Sequence, residues 1–141
     1  MGEIRDRVMD RLDEKYQKPT SNMRIAIIGW PGSGKTTLAS EMGGGRSTDD
    51  VMHLGWSEAS QEVSNWLDAP GPWIIEGVAL PRALRKWRER NPDKKPPVDK
   101  VVYLTKSYRE LEAGAVSMGK GMDTVMAEIW DWLGQSNTEI R

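Results

Sequence analysis

The sequence predicts a three-layer α/β fold, in which a small, mostly parallel sheet of about four strands carries helices on both faces. Two observations predict this class. Short apolar runs rich in β-branched residues recur along the chain and alternate with stretches of helical spacing. A glycine-rich turn follows the first of these runs and leads directly into a helical pattern. Strand, loop and helix in this order form the unit from which parallel sheets are built.

The composition of the chain is that of a single domain without disulfides. Its 141 residues carry a formal net charge of −1 and include no cysteine, which excludes a thiolate metal site or a cysteine nucleophile. No apolar run approaches the roughly 18 residues of a membrane span, and the charged N-terminus has no apolar signal core. We therefore expect a cytoplasmic protein that does not associate with membranes.

Hydrophobic periodicity divides the chain into three parts. Residues 1–22 are predicted to form an amphipathic helix and a linker, residues 23–134 the α/β domain, and residues 135–141 a frayed tail without a fifth strand. The N-terminal helix can either dock on the sheet or mediate oligomer formation.

Strands and helices alternate within the predicted domain. The predicted strands cover residues 23–28, 46–48, 73–75 and 98–104, and the helices between them cover 36–42, 57–68 and 81–90. After the fourth strand, a helix over 107–118 is followed by a break at 119–121 and a final helix that Asp123 caps and Gly134 ends. Two helices joined by a flexible glycine connection predict a mobile helical lid.

The glycine-rich turn at residues 29–36 reads Gly-Trp-Pro-Gly-Ser-Gly-Lys-Thr, which matches the phosphate-binding pattern G-x-x-x-x-G-K-[ST] in full. Its glycines let the backbone turn N–H groups inward toward an anion. Lys35 can reach the β- and γ-phosphates of ATP, and the Thr36 hydroxyl can ligate Mg²⁺. The predicted ATP-binding residues are Gly29, Pro31, Gly32, Ser33, Gly34, Lys35, Thr36 and Thr37.

Acidic residues follow the second and third predicted strands. Because ligands of open parallel sheets bind at the carboxyl ends of the strands, these side chains are expected to face the phosphate-binding loop. Asp49 is the candidate general base, Asp50 a candidate substrate contact, and Glu76 the candidate ligand for Mg²⁺ or its bound water. The alternatives are that Asp49 or Asp50 caps a helix over 51–54 and that Glu76 is a solvated charge at a strand end.

The segment from residue 82 to residue 100 is basic, with eight Lys or Arg against three Asp or Glu. Arg82 and Arg85 lie early in a predicted helix that borders the crevice, so either can hold the phosphate of an acceptor. The whole segment offers a surface for DNA or another nucleic acid. A solvated helix face is the alternative. Arg109 and Lys120 are the cations of the predicted lid.

These parts together resemble the small P-loop kinases, most of all the polynucleotide 5′-kinase type and the phage-type kinases that act on hydroxymethylated pyrimidines in DNA. The resemblance covers roughly residues 23–133 and rests on residues 29–37, 46–50, 74–77 and 80–82. It implies the P-loop NTPase fold, with ATP and Mg²⁺ on Lys35 and Thr36, and Asp49 as the base for an acceptor hydroxyl. Such kinases usually carry arginines in the lid, and this chain is poor in them.

The motifs and the resemblance predict an ATP-dependent kinase. It would transfer the γ-phosphoryl group to a hydroxyl of a nucleic acid, such as a 5′-hydroxyl or a hydroxymethylpyrimidine in DNA, or of a nucleotide. The alternatives are a small-metabolite or nucleoside-monophosphate kinase, which the modest net charge favours, and a non-catalytic ATP-binding assembly module that reaches a partner through the N-terminal helix. A GTP switch is disfavoured because the N/T-K-x-D pattern is not found in the sequence.

Overall fold

The computed structural model describes residues 23–141, and the helix predicted within residues 1–22 lies outside the described residues. The strands are β1 (Arg24–Gly29), β2 (Arg46–Ser47), β3 (Trp73–Glu76), β4 (Lys100–Leu104) and β5 (Asn137–Ile140). The α-helices are α1 (Lys35–Glu41), α2 (Trp56–Trp66), α3 (Leu80–Arg90) and α4 (Ala113–Leu133), and a 3₁₀ helix spans Thr48–Leu54.

The strands form one five-stranded sheet in the order β2-β3-β1-β4-β5, and every pairing is parallel. The predicted α/β class is therefore confirmed, but the predicted count of about four strands is wrong. Residues 137–140, expected to lie in a frayed tail, pair with β4 as an edge strand. Only Ile140 of this strand is strongly apolar and it is exposed, so hydrophobic periodicity gave no signal for it.

Helices cover both faces of the sheet, as predicted, with three α-helices on one face and one on the other. Successive residues of β1 point to opposite faces, so Ala26 and Ile28 pack under α2, α3 and α4. Ile25 and Ile27 pack on the other face with Ala39 of α1. The two clusters bury the side chains of residues 25–28 of β1 completely, which fixes the position of the loop that follows.

The predicted break in the last helical region is wrong, because α4 runs without interruption from Ala113 to Leu133. Gly119 is a buried residue of this helix, and a Cβ at this position would overlap the ring of Trp30. Glycine is therefore present for close packing rather than to break the helix. Asp123 does not cap a helix either, since it lies inside α4 and accepts hydrogen bonds from Trp30 and Tyr103. Gly134 ends α4 as predicted.

Gly77, which follows β3 directly, is required by both its backbone conformation and its packing. Its φ is 144°, and a Cβ would overlap the side chain of Thr48. We expect Gly77→Ala to lower the free energy of unfolding by about 2 to 4 kcal/mol, as measured by chemical denaturation. Gly44→Ala is the matched control, because Gly44 has a φ of 97° and no atom within 4 Å of an added Cβ. Equal losses in both variants would contradict the overlap as the cause.

Candidate functional site

The glycine-rich loop curls around the start of α1, where Gly32 and Gly34 have φ values of 74° and 88°. Lys35 Nζ donates a hydrogen bond to the carbonyl oxygen of Trp30 at 2.9 Å and lies 3.5 Å from Ser33 Oγ. The lysine therefore crosses the mouth of the loop. An ammonium group at a glycine-rich turn that leads into a helix is an arrangement suited to a phosphate group.

Glu76 and Thr36 meet beside this lysine. The Thr36 hydroxyl donates to Glu76 Oε1 at 3.3 Å, and β3 lies next to β1 with Glu76 opposite Ile27. Glu76 is only 3% exposed, so the alternative of a solvated strand-end charge is wrong. A hydroxyl and a carboxylate supply oxygen ligands of the kind that Mg²⁺ prefers. This donor set fits the predicted ion.

Thr36 and Glu76 have few neighbouring side chains in the described part of the chain that could complete the coordination of a metal ion. No group of three or more His, Asp or Glu side chains converges on a common point within residues 23–141. Mg²⁺ sites commonly use one or two carboxylates and complete their coordination with phosphate oxygens and water. An ion held by Thr36 and Glu76 would therefore depend on a bound nucleotide for the rest of its ligands.

Asp49 lies in the first turn of the 3₁₀ helix, directly after β2. Its backbone N–H donates to Ser47 Oγ at 3.2 Å, so Ser47 and not Asp49 or Asp50 caps this helix. The predicted capping alternative for the two aspartates is therefore wrong. The carboxylate of Asp49 lines the cavity beside the loop, whereas the exposed Asp50 is not among the described residues that line it.

The cavity beside the loop has a volume of about 380 Å³. Its lining combines residues of the glycine-rich loop with charged and apolar side chains. The charged side chains are Lys35, Asp49, Glu76 and Arg109, and the apolar ones are Met52, Val78 and Met118. We call it the acid-side cavity.

The charged groups of the acid-side cavity influence the pKa of Lys35. Burial lowers the pKa of Lys35 below its usual value of 10.5, while Glu76 and Asp49 act in the opposite direction. Arg109 lowers this pKa further. Two cations and two carboxylates therefore share one neighbourhood, in which Glu76 is buried, Lys35 is partly buried, and Asp49 and Arg109 are exposed. A lysine whose pKa is lowered by burial beside charged partners is typical of functional sites.

The predicted lid cations occupy different places. The loop before α4 is held against the glycine-rich loop, because Tyr108 N donates to Gly32 O at 2.9 Å and Ser107 Oγ to Pro31 O at 3.0 Å. This anchoring holds Arg109 over Gly32, where an added Cβ would lie 2.7 Å from Arg109 Nε. Lys120 is exposed on α4 and is not among the described residues that line the acid-side cavity.

A second cavity of about 420 Å³ borders the same loop, and we call it the tyrosine-side cavity. Its lining includes Leu38, Lys106, Tyr108 and Arg141, and it shares Gly34 and Thr37 with the acid-side cavity. Tyr108 is 83% exposed, so its ring offers an open surface on which a flat ligand can stack.

Sequence reasoning did not find the tyrosine-side cavity. Arg141 lies at this cavity because it follows β5 directly. Its carbonyl oxygen accepts a hydrogen bond of 2.8 Å from Thr105 N, just past the end of the β4–β5 pairing. That strand was not predicted. The only local signal was a solitary tyrosine in a polar loop, which by itself indicates nothing about a ligand.

Arg82 and Arg85 are not among the described residues that line either cavity. Arg85 pairs with Glu128 of α4 at 2.9 Å. Arg82 stacks over Trp56 at 4.4 Å from the ring centroid, and its Nη1 is buried without a hydrogen-bond partner among the described residues. Burial and the neighbouring Arg85 lower the pKa of Arg82. Of the two arginines, Arg82 is therefore the one with a buried nitrogen that no described residue satisfies.

Most other cations of the basic segment contact the protein itself. Lys86 donates to Ser57 O at 2.8 Å, and Arg88 lies over the Trp132 ring at 5.5 Å. Arg90 bonds to Ser64 and pairs with Asp68 at 3.5 Å. The positive charge counted in the sequence is therefore partly offset by intramolecular contacts, which weakens its support for a nucleic-acid surface.

Comparison of the chain with protein-family models and with curated proteins found no match. None of the helices within residues 23–141 has the length and apolar character needed to cross a bilayer. The geometry defines an α/β protein in which a glycine-rich loop, a lysine and two carboxylates converge at the carboxyl edge of a parallel sheet.

Proposed function

We propose that this chain is an ATP-dependent phosphotransferase with a P-loop NTPase fold, which moves the γ-phosphoryl group to a hydroxyl of a nucleotide or nucleic acid. The observation that carries the proposal is the convergence of Lys35, Asp49 and Glu76 on one cavity, beside a loop that matches the phosphate-binding pattern in full. The strand order, with β1 between β3 and β4, adds support because ligands of open α/β sheets bind at such a switch point.

The two cavities supply the two substrate sites of the proposed reaction. The nucleoside of ATP would occupy the tyrosine-side cavity, where Tyr108 offers a stacking surface and Leu38 an apolar contact. The phosphates would cross the loop at Gly34 and Thr37, which line both cavities. The acceptor would occupy the acid-side cavity with its hydroxyl beside Asp49.

The proposed step is a direct transfer. The acceptor oxygen forms a bond to the γ-phosphorus while the bond from that phosphorus to the β–γ bridging oxygen breaks, so ADP leaves with the electron pair. Asp49 takes the proton of the acceptor hydroxyl, and Lys35 and Arg109 offset the negative charge of the phosphoryl oxygens. Thr36 and Glu76 would hold the Mg²⁺ that accompanies ATP. When bound, this ion offsets further charge on the β- and γ-phosphates.

The acceptor class has two candidates. A nucleic acid is favoured by the positive charge of residues 82–100. A nucleoside monophosphate or another small metabolite is favoured because Arg85, Lys86 and Arg90 already bond to protein groups. In either case the apolar side chains of Met52, Val78 and Met118 would contact the uncharged part of the acceptor.

The proposal is tested by transfer of label from γ-labelled ATP and Mg²⁺ to a panel of acceptors. The panel contains 5′-hydroxyl DNA and RNA, hydroxymethylpyrimidine DNA, nucleosides, nucleoside monophosphates and small alcohols. We expect label on one acceptor class, with acceptor binding that weakens steeply with salt if that class is a polymer. ATP binding without transfer to any acceptor would contradict the phosphotransferase and support a non-catalytic ATP-binding module.

A further inference from the structure

Trp30 is the only aromatic side chain of the phosphate-binding loop, and it connects this loop to α4. Its Nε1 donates a hydrogen bond to Asp123 Oδ2 at 3.0 Å. Its ring lies on Gly119, one turn earlier in α4, where even a methyl group would overlap it. The indole is therefore fixed by a directional bond and by close packing.

Asp123 is itself held by a second element of the fold. Its Oδ1 accepts a hydrogen bond from the Tyr103 hydroxyl, and Tyr103 belongs to β4. Burial and the neighbouring Asp123 raise the pKa of Tyr103, which keeps its phenol protonated as a donor. One carboxylate thus joins the loop, the helix and the sheet, and each of its oxygens has a donor.

The backbone carbonyl group of Trp30 contacts the residues of the loop that surround and include Lys35. The Trp30 carbonyl oxygen accepts hydrogen bonds from Lys35 Nζ at 2.9 Å and from Ser33 N at 3.1 Å. A rotation of Trp30 would move this oxygen and would displace both donors. The side-chain contacts of Trp30 are therefore mechanically linked to the position of the Lys35 ammonium.

We propose that Asp123 is a positioning residue, which holds the phosphate-binding loop in its binding conformation through Trp30. The inference rests on the proposed function, because it concerns the same loop. Asp123 does not line the acid-side or the tyrosine-side cavity, so it would act on ATP only through Trp30 and not by contact.

The test compares three variants that distinguish the effects of the two hydrogen bonds of Asp123. Trp30→Phe keeps an aromatic ring and removes the N–H donor. Asp123→Asn replaces one carboxylate oxygen by an N–H₂ group, which cannot accept the hydrogen bond from Trp30 or from Tyr103. Tyr103→Phe removes the bond to β4 and leaves the bond to Trp30. Isothermal calorimetry with MgATP and with inorganic triphosphate measures affinity without requiring transfer, and thermal denaturation reports stability.

We expect Trp30→Phe and Asp123→Asn to weaken MgATP and triphosphate binding about tenfold, the scale of one lost charge-assisted hydrogen bond. Tyr103→Phe should have a smaller effect on affinity, although it also lowers the melting temperature. Thr124→Ala, which removes a hydroxyl bonded to Lys120 O on the same helix, is the control and should leave affinity unchanged.

Wild-type affinity in a folded Trp30→Phe protein would overturn the positioning role, and this variant decides the question even if Asp123→Asn does not fold. Losses of affinity that only scale with the fall in melting temperature across all the variants would also overturn it, because the effect would then follow stability alone. Absence of ATP binding by the wild-type protein would instead contradict the proposed function, so the two failures are distinguishable.

Discussion

Replacement of Asp49 by asparagine should lower the rate of the proposed phosphoryl transfer by about 10²-fold or more and leave ATP affinity nearly unchanged. The amide keeps the shape of the side chain but cannot accept the proton of the acceptor hydroxyl. The fold should also be preserved, because Ser47 and not Asp49 caps the 3₁₀ helix. Single-turnover transfer and calorimetric titration with ATP measure the two quantities separately.

Asp50→Asn is the matched control for this prediction. Asp50 is adjacent, exposed and equally charged, but the acid-side cavity is lined by Asp49. Its replacement should change transfer by less than about threefold, since it removes charge without removing the proposed base. Parallel losses of binding and turnover in Asp49→Asn, or equal effects of both substitutions, would show that Asp49 acts as a general negative charge and not as a base.

Replacement of Lys35 by methionine should lower phosphoryl transfer by about 10³-fold and at the same time raise the melting temperature. The loss of transfer follows from removal of the charge that offsets the phosphoryl oxygens. The gain in stability follows because burial lowers the pKa of Lys35, so its charged form is less favourable in the folded state than in the unfolded state. Methionine retains the length of the side chain without the charge.

The pH dependence of this stability gain is a separate check. In the unfolded chain the pKa of Lys35 is 10.5, and in the folded protein it is lower. As the pH rises, the folded protein therefore releases the proton of Lys35 before the unfolded chain does. The free energy of unfolding of the wild-type protein should therefore rise with pH between the lowered pKa of Lys35 and 10.5. The difference in melting temperature between Lys35→Met and the wild type should shrink over the same pH range.

Lys94→Met is the control for the stability gain. Lys94 is exposed in the loop after α3, and its replacement should not raise the melting temperature. A Lys35→Met protein that is less stable than the wild type at neutral pH would contradict the desolvation explanation. It would mean that attraction to Glu76 and Asp49 outweighs the cost of burial.

The interior of the sheet was predictable because its residues carry strong local signals. The apolar runs that became β1 and β4 are buried on both faces, and burial of this kind leaves near-continuous hydrophobic stretches in the sequence. The loop was predictable because a complete motif stood between a strand and a helix. Asp49 and Glu76 followed from the general rule that crevices form at the carboxyl ends of parallel strands.

The features that were missed depend on contacts between distant parts of the chain. The edge strand β5 is held by its backbone pairing with β4, and a partly exposed strand needs no apolar alternation. Asp123 was predicted to cap a helix because Gly119 and Gly121, which precede it, were predicted to interrupt the helical region. Gly119 instead accommodates Trp30, a residue 89 positions earlier in the chain (119 − 30), and no local pattern records that contact.

The meeting of the two cavities at Gly34 and Thr37 has a consequence for the order of events in the proposed reaction. Two cavities that share Gly34 and Thr37 would allow the proposed donor and acceptor to be bound together, so no phosphorylated enzyme would need to form between them. A single displacement of this kind inverts the stereochemical configuration at phosphorus. Double-reciprocal rate plots at several fixed acceptor concentrations would then intersect instead of running parallel.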